Sequence, residues 1–134
     1  MGADRFVSIF TPAKMAEVFP PERADQFFEA LLGDRDEGAF DIAFHYAGAR
    51  DDALYFEFQL QERPGKCLSC SLTYGLPHVF SRHPIIDIPS VVQGVDRMLD
   101  GHGRCGQWHV KRTRETSRQL HVIPLIINLQ SGKR

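Results

Sequence analysis

Phe40-Asp41-Ile42-Ala43-Phe44-His45-Tyr46 and Leu54-Tyr55-Phe56-Glu57-Phe58-Gln59-Leu60-Gln61 are the stretches that decide the fold. In each, large apolar residues take every second position and polar or small residues fill the gaps. Only an extended chain sends alternate side chains to opposite faces, so both runs read as half-buried strands. A third run follows Arg63-Pro64-Gly65, where Leu68, Cys70, Leu72 and Tyr74 alternate with Ser69, Ser71 and Thr73. The short connections between the three predict an antiparallel meander with one dry face that helices must cover.

The helices lie on both sides of this block. Upstream, Thr11-Pro12 is an N-cap followed by proline, with Met15, Val18 and Phe19 as the apolar face. Phe19-Pro20-Pro21 ends that helix, because the proline ring clashes with a continuing turn. Pro21 starts a second helix, whose stripe is Ala24, Phe27, Phe28, Leu31 and Leu32 and whose left-handed stop is Gly33. Downstream, residues 75–88 contain Pro77 and Pro84 and read as an irregular apolar crossing that packs back on the domain. Pro89 then opens a helix with the stripe Val91, Val92, Val95, Met98 and Leu99. Gly106 to Arg114 and Arg118 to Leu129 form a closing hairpin around Glu115-Thr116-Ser117. Pro124 interrupts the donor pattern of the last strand and predicts an edge or a bulge there. The expected architecture is α+β: a five-stranded, mainly antiparallel sheet with helices on one face, in the order ααβββαββ.

Composition agrees with one domain spanning residues 1–134: 43% hydrophobic, 25% charged, ten Phe against one Trp. Disordered chains lack such aromatic content. The opening apolar patch, Phe6 to Phe10, is too short for a signal peptide or a membrane span, and three cysteines is an odd number for a secreted disulfide framework. The expected compartment is the cytoplasm. The net charge of −1 conceals an asymmetry: residues 1–100 hold nine Lys/Arg against sixteen Asp/Glu, whereas 101–134 hold seven against Glu115 alone. Such a basic end invites an anion-binding or nucleic-acid reading. A nucleic-acid platform needs aromatics interleaved with arginines on the exposed face, and Trp108, beside Arg112 and Arg114, is alone in fitting. A solvated hairpin balanced by acidic neighbours is the simpler account.

Spacing of Cys and His gives the most specific chemical signal. Cys67 and Cys70 form C-x2-C, and His102 and Cys105 form H-x2-C within Gly101-His102-Gly103-Arg104-Cys105-Gly106. Together they supply the Cys3His set of a structural zinc site. Strand alternation opposes it: residues three apart point to opposite faces, which sends Cys67 outward and Cys70 inward. A redox dithiol is a further reading of the same pair, but such motifs sit at a helix N-terminus rather than at the start of a strand. The remaining histidines assemble no catalytic pattern. His45 and His109 fall on polar strand faces, His78 and His83 lie in the crossing, and Arg82-His83 suggest at most a pocket rim. G-x-S-x-G, H-E-x-x-H, the P-loop and G-x-G-x-x-G are all absent.

The stretch Arg63-Pro64-Gly65-Lys66-Cys67 through Leu76-Pro77-His78-Val79-Phe80-Ser81-Arg82-His83-Pro84 resembles a small bacterial protein family that carries a pancreas/duodenum homeobox label. The resemblance implies no activity, ligand or site. The label itself conflicts with the residues, since a homeodomain is three helices with a basic recognition helix. Element order alone is similar to secretion chaperones of αβββαββα type, which dimerise and bind extended protein segments. This chain lacks their final helix and their acidity, and fold does not fix function. The sequence therefore favours a non-enzymatic binding or interaction module that self-associates through its sheet or its Pro124 edge, or binds another protein. Alternatives are a small zinc protein using Cys67, Cys70, His102 and Cys105, and a small-molecule enzyme of unassigned chemistry.

Overall fold

The computed structural model describes residues 6–50, 52–68, 75–101 and 103–130. Helix α1 (Pro12–Val18) starts where the Thr11 hydroxyl accepts from the Lys14 N–H, and α2 (Glu22–Leu32) stops at Gly33, held at φ 83°. A 3-10 turn (Arg35–Glu37) leads into β1 (Phe40–Arg50) and β2 (Ala53–Glu62). Next come α3 (Leu76–Phe80), α4 (Ile88–Leu99), β3 (Arg104–Val110), β4 (Arg114–Glu115) and β5 (Leu120–Gln130). All strand pairs are antiparallel, in the order β1-β2-β5-β3, with β4 also on β5. The molecule is an α+β domain with a five-stranded antiparallel sheet. Among the described residues, no helix is long and apolar enough to cross a membrane.

Register explains the core. Across β1 and β2, Ile42 faces Leu60, Phe44 faces Phe58 and Tyr46 faces Phe56. Across β2 and β5, Leu54 faces Ile127, Phe56 faces Leu125 and Phe58 faces Ile123. These residues form the dry side of the sheet, onto which α1, α2 and α4 pack. All ten phenylalanines are buried there. Their rings form a continuous series of edge-to-face and offset contacts 4.8 to 6.4 Å apart, for example Phe19 on Phe58, Phe58 on Phe80 and Phe28 on Phe40. Such arrangements add to plain burial through the ring quadrupoles. Gly38 is required for close approach, since a Cβ there would overlap the Phe28 ring.

Four expectations need correction or relocation. The α2 stripe is buried at Ala24, Phe27 and Phe28 but not beyond: Leu31 is 51% and Leu32 52% exposed, because the last turn of the helix extends past its cover. The crossing is not wholly irregular, since α3 forms with Pro77 in its first turn, where no amide donor is missed. Of the third alternating run, Cys67 and Leu68 lie outside any strand and residues 69–74 fall outside the described residues.

Pro124 is not at an edge. It sits in interior β5 opposite Glu57 of β2. Its carbonyl accepts from the Lys111 N–H, so its donor-less nitrogen faces the β3–β4 side. On that side, four residue steps from Val110 to Arg114 face three from Leu125 to Val122. That extra residue is a bulge, which absorbs the missing donor. The expected Pro124 edge therefore does not exist; among the described residues the outer strands are β1 on one side and β3 and β4 on the other.

Candidate functional site

Two concavities lie where helices face the outer strands of the sheet. One, of about 480 Å³, runs beside β1 and is walled opposite by α1 and α2 through Pro12, Ala16, Phe19 and Pro21. Its strand wall is five consecutive residues of β1, Asp41 to His45, with Gln61 of β2 beside Asp41. Consecutive strand residues point alternately to the two faces, so a cleft that reaches all five runs along the edge itself. Residues 40–46 hold perfect register with 62–56, and the bulge comes only between Tyr46 and Gly48. In a ladder, every second residue directs its N–H and C=O away from the partner strand. Across Phe40–His45, three residues therefore turn backbone donors and acceptors toward this groove. Among the described residues, no backbone hydrogen bond joins 40–45 to anything but β2.

Charge in the groove is one-sided. Glu22, Asp25 and Asp41 line it, and no Lys or Arg does. Behind its acidic end lies Arg63, whose side chain is 14% exposed. Its Nε donates to Asp41 Oδ1 at 3.0 Å and its Nη2 to Asp25 Oδ1 at 2.8 Å. Nη1 donates to the Arg35 carbonyl at 2.8 Å, and the guanidinium lies 5.3 Å from the Phe28 ring centre. Arg63 thereby ties α2, the 3-10 turn and β1 into one rigid wall. One guanidinium against three carboxylates leaves the groove with an excess of negative charge.

The second concavity, of about 420 Å³, lies between α3 and β3 and is lined by His78, Ser81, Trp108, His109 and others. Arg82 Nη1 lies 2.8 Å from His78 Nε2, within hydrogen-bonding distance. The β3 backbone is less available than that of β1. A register shift separates Cys105 from Trp108, and the Cys105 N–H donates to Asp96 Oδ1 of α4 at 2.8 Å. Burial first, and then the Asp96 carboxylate, push the Cys105 thiol up from 9.0 to about 12. Such a thiol is not a nucleophile at neutral pH. A third cleft, between α1 and α4, carries Lys14, Arg23 and Arg97 but also Glu17 and Asp100, so its charges oppose one another.

Of the four residues singled out as a zinc set, two are described. Cys67 is exposed and disulfide-bonded, Cys105 is a free thiol, and Cys70 and His102 lie outside the described residues. A disulfide sulfur is not the thiolate that zinc takes. Among the described residues, no group of three or more His, Cys, Asp or Glu is arranged to hold a metal ion. His83 serves the core: its ring packs 4.8 Å from that of Phe27, and its Nδ1 accepts from the Ile85 N–H. His45 borders the β1 groove and His109 the β3 groove.

Trp108 and Val110 pack on the core face opposite Ile127 and Leu125, while Arg114 lies opposite Val122 on the other face. The bulge reverses the alternation, so the expected grouping of Trp108 with Arg114 on one face is overturned. No family model, curated protein or solved structure matches this chain.

Proposed function

We propose that the protein is a non-catalytic binding module that takes an extended segment of a partner protein along the free edge of β1. The observation that carries this reading is the groove in which five consecutive strand residues, Asp41 to His45, face helices α1 and α2. Strand addition draws its affinity from main-chain hydrogen bonds and its selectivity from pockets for alternate side chains. The groove offers both, with edge groups that no described backbone group claims on one wall and Ala16, Phe19 and the prolines on the other. Natural sheets blunt edges with bulges, lysines or proline, and the stretch Phe40–Tyr46 has none of these.

The test is selection from a displayed library of random linear peptides, followed by amide chemical-shift mapping on the labelled protein. Selected peptides should perturb residues 40–45 and the α1 residues that face them. Ala16→Trp, which fills the groove from an exposed helix position, should abolish binding while the melting curve stays unchanged. Peptides that bind Ala16→Trp equally well, or that shift only residues outside the groove, overturn the reading.

A further inference from the structure

We propose that the segment received by β1 is basic, with Lys or Arg concentrated at the Asp41 end and small apolar residues beneath the helices. This rests on the docking reading above and adds the chemistry of the occupant. A strand laid against β1 places alternate side chains opposite Asp41, Ala43 and His45 on one face and opposite Ile42 and Phe44 on the other. The second set lies under α1 and α2, against Ala16 and Phe19, where the space suits Val, Thr or Ala rather than a long side chain. The first set meets Asp41, whose carboxylate is 64% exposed although Arg63 holds one of its oxygens.

At the same end, α2 presents Asp25, with its side chain 42% exposed, and Glu22, which forms no salt bridge among the described residues. A cation there meets carboxylates from both walls. Arg63 is already committed to two of them and cannot neutralise three. A second copy of this chain is a poorer occupant. Pairing β1 with another β1 would bring two grooves of the same negative sign together. The β3 edge of another copy carries the shift at Cys105 and is flanked by α3.

The experiment uses an eight-residue capped peptide alternating Arg with Val or Thr, and its partner with Glu in place of every Arg. Binding is followed by fluorescence polarisation and by amide shifts of residues 40–45. The Arg peptide should bind and shift those amides, and the Glu peptide should bind about tenfold more weakly or worse, a difference of about 1.4 kcal/mol. Affinity for the Arg peptide should fall as salt rises from 50 to about 500 mM, through screening of exposed charges. Glu22→Lys, at an exposed position outside the Arg63 contacts, should weaken the Arg peptide and strengthen the Glu peptide. Equal binding of both peptides with the same amide shifts overturns the basic occupant and leaves the docking reading standing. Absence of shifts at 40–45 with either peptide overturns both. A concentration-dependent dimer that shifts 40–45 without peptide, and is lost in Ala16→Trp, would make a second copy the occupant and also overturns the proposal.

Discussion

The two edges of the sheet face the same physical difficulty and meet it differently. At β3 the chain is short, its register slips between Cys105 and Trp108, and Asp96 accepts the Cys105 amide from outside the sheet. That edge is closed by geometry and by a carboxylate. At β1 seven residues run in unbroken register, with α1 and α2 packed on its dry face and a groove between them and the strand. Among the described residues that edge is unpaired, and Arg63 ties the elements around it together. Exposed regular edges invite unwanted pairing, and the segment proposed above would satisfy this one.

The largest expected effect sharpens how firmly each edge is anchored. Phe44 of β1 is buried between Phe19, Phe56 and Phe58, whereas Trp108 of β3 is only partly buried. Phe44→Ala should lower unfolding free energy by about 3–5 kcal/mol, and Trp108→Ala by about 1–2 kcal/mol, both read from urea denaturation. Equal losses would mean that the edges are anchored alike.

Next is Arg63. Arg63→Ala should cost about 2–3 kcal/mol, because it removes charge-assisted bonds to Asp25 and Asp41 and leaves the part-buried Gly38 carbonyl without its Arg63 donor. Arg63→Lys should recover little, since an ammonium cannot reproduce the fork. A loss below about 0.5 kcal/mol, the range of an ordinary surface position, would break the claim that this wall is held rigid.

The smallest effect is at β3 and depends on pH. The folded Cys105 thiol has its pKa raised to about 12 from 9.0. The unfolded chain therefore loses this proton first, and the contribution to stability, complete below pH 9, is lost as pH rises toward 12. Melting temperature should decline over that window more steeply in the native protein than in Cys105→Ser. Identical slopes would show that Asp96 and burial do not hold the thiol protonated.

How much of this the sequence conveyed depends on the range of the interaction. Alternation in 40–46 and 54–61 identified both strands and their dry faces, because burying one face forces a period of two on the residues themselves. The Thr11 cap and the Gly33 stop were equally local. Leu31 and Leu32 were misplaced because helical period says which residues share a stripe, not where the cover ends. Pro124 announced an irregular ladder, but only the neighbouring strands decide whether that means an edge or a bulge. The β1 groove was not visible at all. Its walls come from α1, α2 and β1, and no spacing rule joins Ala16 to Ala43. One signal did lie in the chain: residues 22–41 hold seven Asp/Glu against Arg23 and Arg35.

The strand order β1-β2-β5-β3 also governs how the chain reaches this structure. β2 finds β1 almost at once, since Arg50 and Ala53 bound the two strands, but its other neighbour starts at Leu120, 58 positions after Glu62. A two-stranded hairpin is marginal by itself, and closing so long a loop costs entropy before any contact repays it. Until β5 inserts, β2 is a temporary edge bearing Leu54, Phe56, Phe58 and Leu60. Folding should therefore be slow for a chain of this size and all-or-none. The period before β5 arrives is when nascent chains are most exposed to sticking to one another.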